Sequence, residues 1–67
     1  MVYLNGKQVE YTQDMSIKDF LEGQGYNIAR VAVELNEEIL PKAQYENTIL
    51  QQEDKLEVVH FVGGGQC

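Results

Sequence analysis

The segment LEVVHFVGGGQC, Leu56 to Cys67, joins an alternating apolar run to three consecutive glycines. Side chains of an extended chain point to opposite faces in turn, so Leu56, Val58, His60 and Val62 share one face while Glu57, Val59 and Phe61 share the other. Glu57 assigns the second face to solvent. Val59 and Phe61 then become apolar groups on an outward surface beside the glycines, and a patch of that kind marks a docking site unless a bulge or covering loop hides it. His60, on the inner face, has no Asp, Glu or Cys at a spacing that would pair with it, and reads as a hydrogen-bonded strand residue.

Gly63, Gly64 and Gly65 have no side chains to pack, and a glycine-rich terminus frays by default. Fraying does not account for a glycine run that follows an outward apolar face without a spacer. Lacking Cβ atoms, an extended glycine run can thread a narrow channel and bring a carbonyl against another protein's catalytic groups. The expected organisation is one domain over residues 1–62 and a flexible C-terminal tail over residues 63–67.

The rest of the chain supplies the partners of that last strand. Asn5-Gly6, between VYL and KQVEY, is a two-residue hairpin signal, because both residues tolerate the positive φ of such a turn. The turn sets Val2 opposite Val9, Leu4 opposite Lys7 and Tyr3 opposite Gln8, with Val2, Leu4, Val9 and Tyr11 on the buried side. In SIKDFLEGQG, Ser16 is an N-cap, and Asp19 three residues on makes a weaker form of the capping box. Ile17, Phe20 and Leu21 form one apolar stripe, and Gly23 and Gly25 end the helix. RVAVEL alternates, with Val31, Val33 and Leu35 inward and Arg30, Ala32 and Glu34 outward. NEE turns the chain into a short extended piece at Ile39-Leu40. Pro41 opens a brief helix through Tyr45, Thr48 to Leu50 form a short edge strand, and QQEDK turns into the last strand. One helix covering a mixed sheet is an α+β design, and a β-grasp arrangement, with the last strand central beside the first, fits this order.

Composition narrows the function classes. Sixty-seven residues make one small domain that buries only about 60% of its unfolded surface, too little material for a deep substrate cavity of its own. A carrier, a binding module or a small subunit is the better expectation. Eleven acidic residues against five basic ones, a net charge of −6, argue against nucleic acid; the charge fits plain solubility at least as well as it fits a partner with a basic docking surface. A single cysteine forms no internal disulfide and cannot build a cysteine-ligated cluster, which rules out a ferredoxin on the same fold. No stretch reaches membrane-spanning length and the opening MVYLNGKQV is strand-like, so a cytoplasmic protein is expected.

The chain resembles the ThiS-type sulfur carriers of the β-grasp, ubiquitin-like family. The likeness is carried by LNGK at Leu4 to Lys7, IKDFL at Ile17 to Leu21, VAVELNEEILPKAQY at Val31 to Tyr45 and, most specifically, DKLEVVHFVGGG at Asp54 to Gly65. The resemblance implies a protein cosubstrate rather than an enzyme, with no cofactor of its own. A ThiF-like adenylating enzyme uses ATP and Mg to activate a terminal glycine carboxylate, and a persulfide sulfur donor displaces AMP to leave a thiocarboxylate. A thiazole synthase then takes the sulfur for thiamine biosynthesis. A carboxyl of pKa about 3.5 is ionised at neutral pH and is a poor electrophile, so the mixed anhydride supplies the missing leaving group. Carried over residue by residue, Gly65 receives sulfur, Gly64 and Gly63 precede it in the tail, and Val59, Phe61 and Val62 lie near the partner groove. The small subunit of molybdopterin synthase, another thiocarboxylate carrier and a ubiquitin-like modifier joined to lysines are the alternatives within the same family, and a binding module with a dispensable tail is the alternative outside it.

Gln66 and Cys67 depart from the pattern, since carriers that act directly end at glycine. The preferred expectation is a precursor from which a peptidase removes Gln66-Cys67 to expose Gly65. Otherwise the pair is foreign to the natural chain, or Cys67 itself carries sulfur as a persulfide. The last is disfavoured because no cationic neighbour lowers the pKa of its thiol.

Overall fold

The structure is a computed structural model that describes residues 1–60. Phe61, Val62 and the residues after them lie outside the described part, and with them the expectations placed on the tail.

The chain begins with a hairpin, β1 (Val2–Leu4) and β2 (Lys7–Val9), whose register is Val2 to Val9, Tyr3 to Gln8 and Leu4 to Lys7, residue for residue as the Asn-Gly turn predicts. Asn5 and Gly6 both adopt positive φ, 51° and 86°, the combination that matches the twist of the flanking strands. Val2 and Leu4 are buried, and Val9 and Tyr11 pack half-buried against the same core.

Helix α1 (Ile17–Gly23) starts where Ser16 Oγ accepts the Asp19 amide at 3.0 Å. Its end is set by Gly25 at φ 94°: the Gly25 amide donates to Glu22 O and the Tyr26 amide to Leu21 O, the paired bonds of a Schellman motif. Gly23 is thus the last helical residue and Gly25 the one that requires glycine-like freedom. Ile17, Phe20 and Leu21 form the buried stripe.

After a 3₁₀ turn at Ile28–Arg30, β3 (Val31–Leu35) and β4 (Glu38–Leu40) form a second hairpin around Asn36 and Glu37, again both at positive φ. Pro41 caps a single 3₁₀ turn, Lys42–Gln44, shorter than the brief helix expected there. Strand β5 (Lys55–His60) completes a five-stranded sheet of order β2-β1-β5-β3-β4, parallel to β1 and antiparallel to β3. With one helix packed on this mixed sheet, the fold is a β-grasp.

Thr48 to Leu50 do not form the expected edge strand. Only an isolated bridge joins Ile49 to Ser16. The loop instead serves the start of α1: Thr48 O and Tyr45 O accept the Ile17 and Lys18 amides at 2.9 and 3.0 Å, and the Leu50 amide donates to Met15 O. Helix N-termini leave backbone donors without intrahelical partners, and here a loop answers them while Leu50 plugs the core below.

Tyr45 closes the same end of the core and is almost wholly buried. Burial pushes its phenol above the ordinary value, with a hydrogen bond to the Val33 backbone acting in the opposite direction. The raised folded value means that the unfolded chain loses this proton first, near pH 10. The contribution is therefore complete below about pH 10 and is lost as pH rises through the folded value. Melting temperature measured across pH 9–11.5, roughly the span of the unfolded titration, should fall more steeply for the wild type than for Tyr45→Phe. Parallel profiles would contradict this.

Candidate functional site

The candidate site expected from the sequence centres on β5, the central strand, which precedes Phe61, Val62 and the glycines in the chain. Two asparagines hold this strand, one from each hairpin turn. Asn5 Oδ1 accepts the Val58 amide at 2.7 Å and Asn5 Nδ2 donates to Val58 O at 3.3 Å, while the Asn5 amide donates to Leu56 O. On the other side Asn36 Oδ1 accepts the Lys55 amide at 3.0 Å, its Nδ2 donates to Asp54 Oδ1, and its own amide donates to Lys55 O. Each asparagine thus turns its hairpin and, through its side-chain amide, extends the backbone pairing of β5 past the end of the neighbouring strand. Left-handed backbone is tolerated best by Gly and Asn, and of the two only Asn can make these bonds.

Asn5→Gly isolates this second role, because glycine keeps the turn. Two side-chain-to-backbone bonds at about 0.5–1.5 kcal/mol each predict a loss of about 2 kcal/mol in urea unfolding. Hydrogen exchange at the Val58 amide should accelerate more than at Val33. An unchanged midpoint would show that water replaces the asparagine without loss.

The alternation along β5 holds through Val59. Leu56 and Val58 are buried, Glu57 is exposed, and Val59 is 63% exposed on the outer sheet face. His60 is the strand residue expected, paired with Val31 of β3. It lies at the rim of the sheet, exposed, with its ring 5.3 Å from that of Tyr26 at a 35° tilt. The Tyr26 ring it meets is itself packed half-buried against the core. Phe61, Val62, Gly63, Gly64, Gly65, Gln66 and Cys67 are outside the described residues.

One residue of this face was not anticipated from the sequence. Ile39 is 78% exposed on β4, where it pairs with Glu34 and stands near Val59 across Ala32 of β3. Together Ala32, Ile39 and Val59 line an open apolar groove bordered by Glu34 and Glu57. The signal was present in the alternation of β3: a residue opposite outward-facing Glu34 must itself point outward. A second depression, on the β1–β5 seam beside Tyr3 and Gly6, lies on the other side of Glu57.

Among the described residues no three His, Cys, Asp or Glu side chains gather where a metal could be held, and no buried side-chain polar atom lacks a hydrogen-bond partner. No helix among them is long and apolar enough to cross a membrane. What the described surface offers is an apolar, acid-rimmed sheet face at the base of a glycine run.

A small β-grasp domain with that face and that C-terminal sequence is matched over residues 2–65 by the model of the ThiS family. The chain belongs to the ThiS family. It is 42% identical over 66 residues to the sulfur carrier protein ThiS of Bacillus subtilis, covering 97% of this chain and 100% of that one. It is also 37% identical over 65 residues to a thiazole synthase of Magnetococcus marinus, covering 97% of this chain but only 20% of the relative, so the chain spans about a fifth of that protein's length. The crystal structure of a thiamine biosynthesis protein (ThiS) from Geobacter metallireducens superposes with a TM-score of 0.77 at 28% identity, over 96% of this chain and 97% of the other.

Proposed function

We propose that this protein is a sulfur carrier of thiamine biosynthesis and that Gly65 is the residue that carries the sulfur. The observation that carries the reading is where the family match stops: it runs from residue 2 through the third glycine and leaves Gln66 and Cys67 outside. Whatever follows Gly65 has to be removed by a peptidase before its carboxylate becomes available. A ThiF-like enzyme then joins that carboxylate to AMP at the expense of ATP, with Mg serving the enzyme. A persulfide sulfur donor attacks the activated carbonyl and AMP leaves. Thiol cleavage of the resulting S–S bond frees the thiocarboxylate.

The protein's own contribution is twofold. Its glycines keep the reacting carbonyl unhindered, and the recognition surface consists of the outer sheet face carrying Val59, joined by Phe61 and Val62, which lie outside the described residues. Thiazole synthase is the proposed acceptor. Support comes from thiazole synthases of Magnetococcus marinus and Paramagnetospirillum magneticum, each of which contains a stretch similar to this chain. In such a polypeptide a carrier-like segment and a thiazole synthase are held together covalently. The carrier acts as a cosubstrate, consumed and regenerated, and does no chemistry with its own side chains.

A chain ending at Gly65 tests this with the ThiF-like enzyme and ATP. Pyrophosphate release is expected from that chain and not from the chain ending at Cys67. Failure of the Gly65-ended chain, with the enzyme active on another carrier ending in glycine, would contradict the reading.

A further inference from the structure

The outer face carries an arrangement that folding alone does not favour. Glu34 and Glu57 are register partners on the adjacent strands β3 and β5. Both are exposed on the side of the sheet opposite α1. Side chains directly opposite in an antiparallel pair have Cβ atoms about 5 Å apart, and like charges so placed repel and destabilise the sheet. Neither carboxylate has an ion pair or hydrogen-bond partner among the described residues. Lys55 shares the outer face of β5 with Glu57, but its Nζ lies 4.0 Å from Glu37 Oε2. Ile39 stands opposite Glu34 on the far side, so Glu57, Glu34 and Ile39 form one row across three strands. Val59 and Ala32 form the next row.

An uncompensated carboxylate pair set against an exposed apolar groove is completed by a cation that arrives with an apolar neighbour. Resting on the reading of this face as the recognition surface, we propose that its partner is a protein surface presenting an arginine beside an apolar side chain. The guanidinium bridges Glu34 and Glu57 while the apolar group enters the groove of Ala32, Ile39 and Val59. The planar fork of an arginine can serve two carboxylates at once and is less strongly hydrated than a lysine ammonium. A polyanion is repelled by the same pair, and so is a second copy of this chain, which carries a net charge of −6.

The test uses the Glu34→Gln/Glu57→Gln double variant, which keeps shape and removes charge, with Val59→Asp as a separate control on the face itself. Binding to the ThiF-like adenylating enzyme is measured by titration at low and high salt, alongside thermal unfolding of each variant. The double variant is expected to melt higher than the wild type, to bind about ten- to a hundredfold more weakly, and to lose most of its salt dependence. A residue pair with a merely structural role would change melting without changing affinity. Wild-type affinity and salt dependence in the double variant, with Val59→Asp failing to bind, would overturn the arginine bridge and leave the docking face standing. Wild-type binding by Val59→Asp would overturn both.

Discussion

Leu56→Ala is expected to leave the domain largely unfolded at 37 °C. Leu56 is 1% exposed on the central strand, with Leu4 of β1 as its register partner on one side and Leu35 of β3 on the other. Truncating a buried leucine removes its transfer free energy and leaves a cavity that neighbours on three strands cannot all collapse into. Such changes cost about 2–5 kcal/mol. A core in a chain this small supplies on the order of 3–5 kcal/mol in total. One substitution therefore takes away most of the margin. Urea unfolding followed by circular dichroism measures it, and a loss under about 1 kcal/mol would mean that the centre of the sheet is not where stability resides.

Three residues further along the same strand, Val59→Asp is expected to do the opposite: leave the fold nearly intact and abolish docking. Val59 is 63% exposed and its side chain packs into no part of the core. An exposed substitution of this kind shifts stability by about 0.5 kcal/mol, somewhat more for the poor strand propensity of aspartate. At the centre of an apolar contact, however, a buried carboxylate loses hydration without gaining a partner. Central interface positions of that kind cost about 2 kcal/mol or more, a loss of about thirtyfold or greater in affinity. The readout is binding to the ThiF-like enzyme by a variant whose circular dichroism matches the wild type. Undiminished binding would remove Val59 from the proposed recognition surface. The pair of variants separates what β5 does for the fold from what it does for a partner, within four residues.

Local chemistry was legible in the sequence wherever a short-range rule decides the outcome. The register of the first hairpin follows from Asn5-Gly6, the start of α1 from Ser16, its end from Gly25, and the two faces of β3 from alternation. The central place of β5 beside β1 was also readable, from the β-grasp arrangement that the order of elements fits. What depended on distant contacts was less visible. Thr48 to Leu50 have the composition of an edge strand, yet the free amides of the first turn of α1 draw them away from the sheet. The exposure of His60, at the last described position of β5 and against Tyr26, has no local signature. The side-chain bonds of Asn5 to Val58 and of Asn36 to Lys55 span 53 and 19 positions and have no local signature. Ile39 was recognisable only by carrying the outward assignment of Glu34 across to β4. The same step reveals that Glu34 and Glu57 stand side by side, so the proposed recognition face became readable once the pairing was known.

Conversion of Gly65 to a thiocarboxylate is the core of the proposed function. Its most direct test is the intact mass of this chain after incubation in extract of its source organism, with ATP and a sulfur donor. A chain that has lost Gln66 and Cys67 and gained the mass of one oxygen-for-sulfur exchange is the expected product. A chain that still ends in Cys67, in an extract that converts a control carrier ending in glycine, would contradict it.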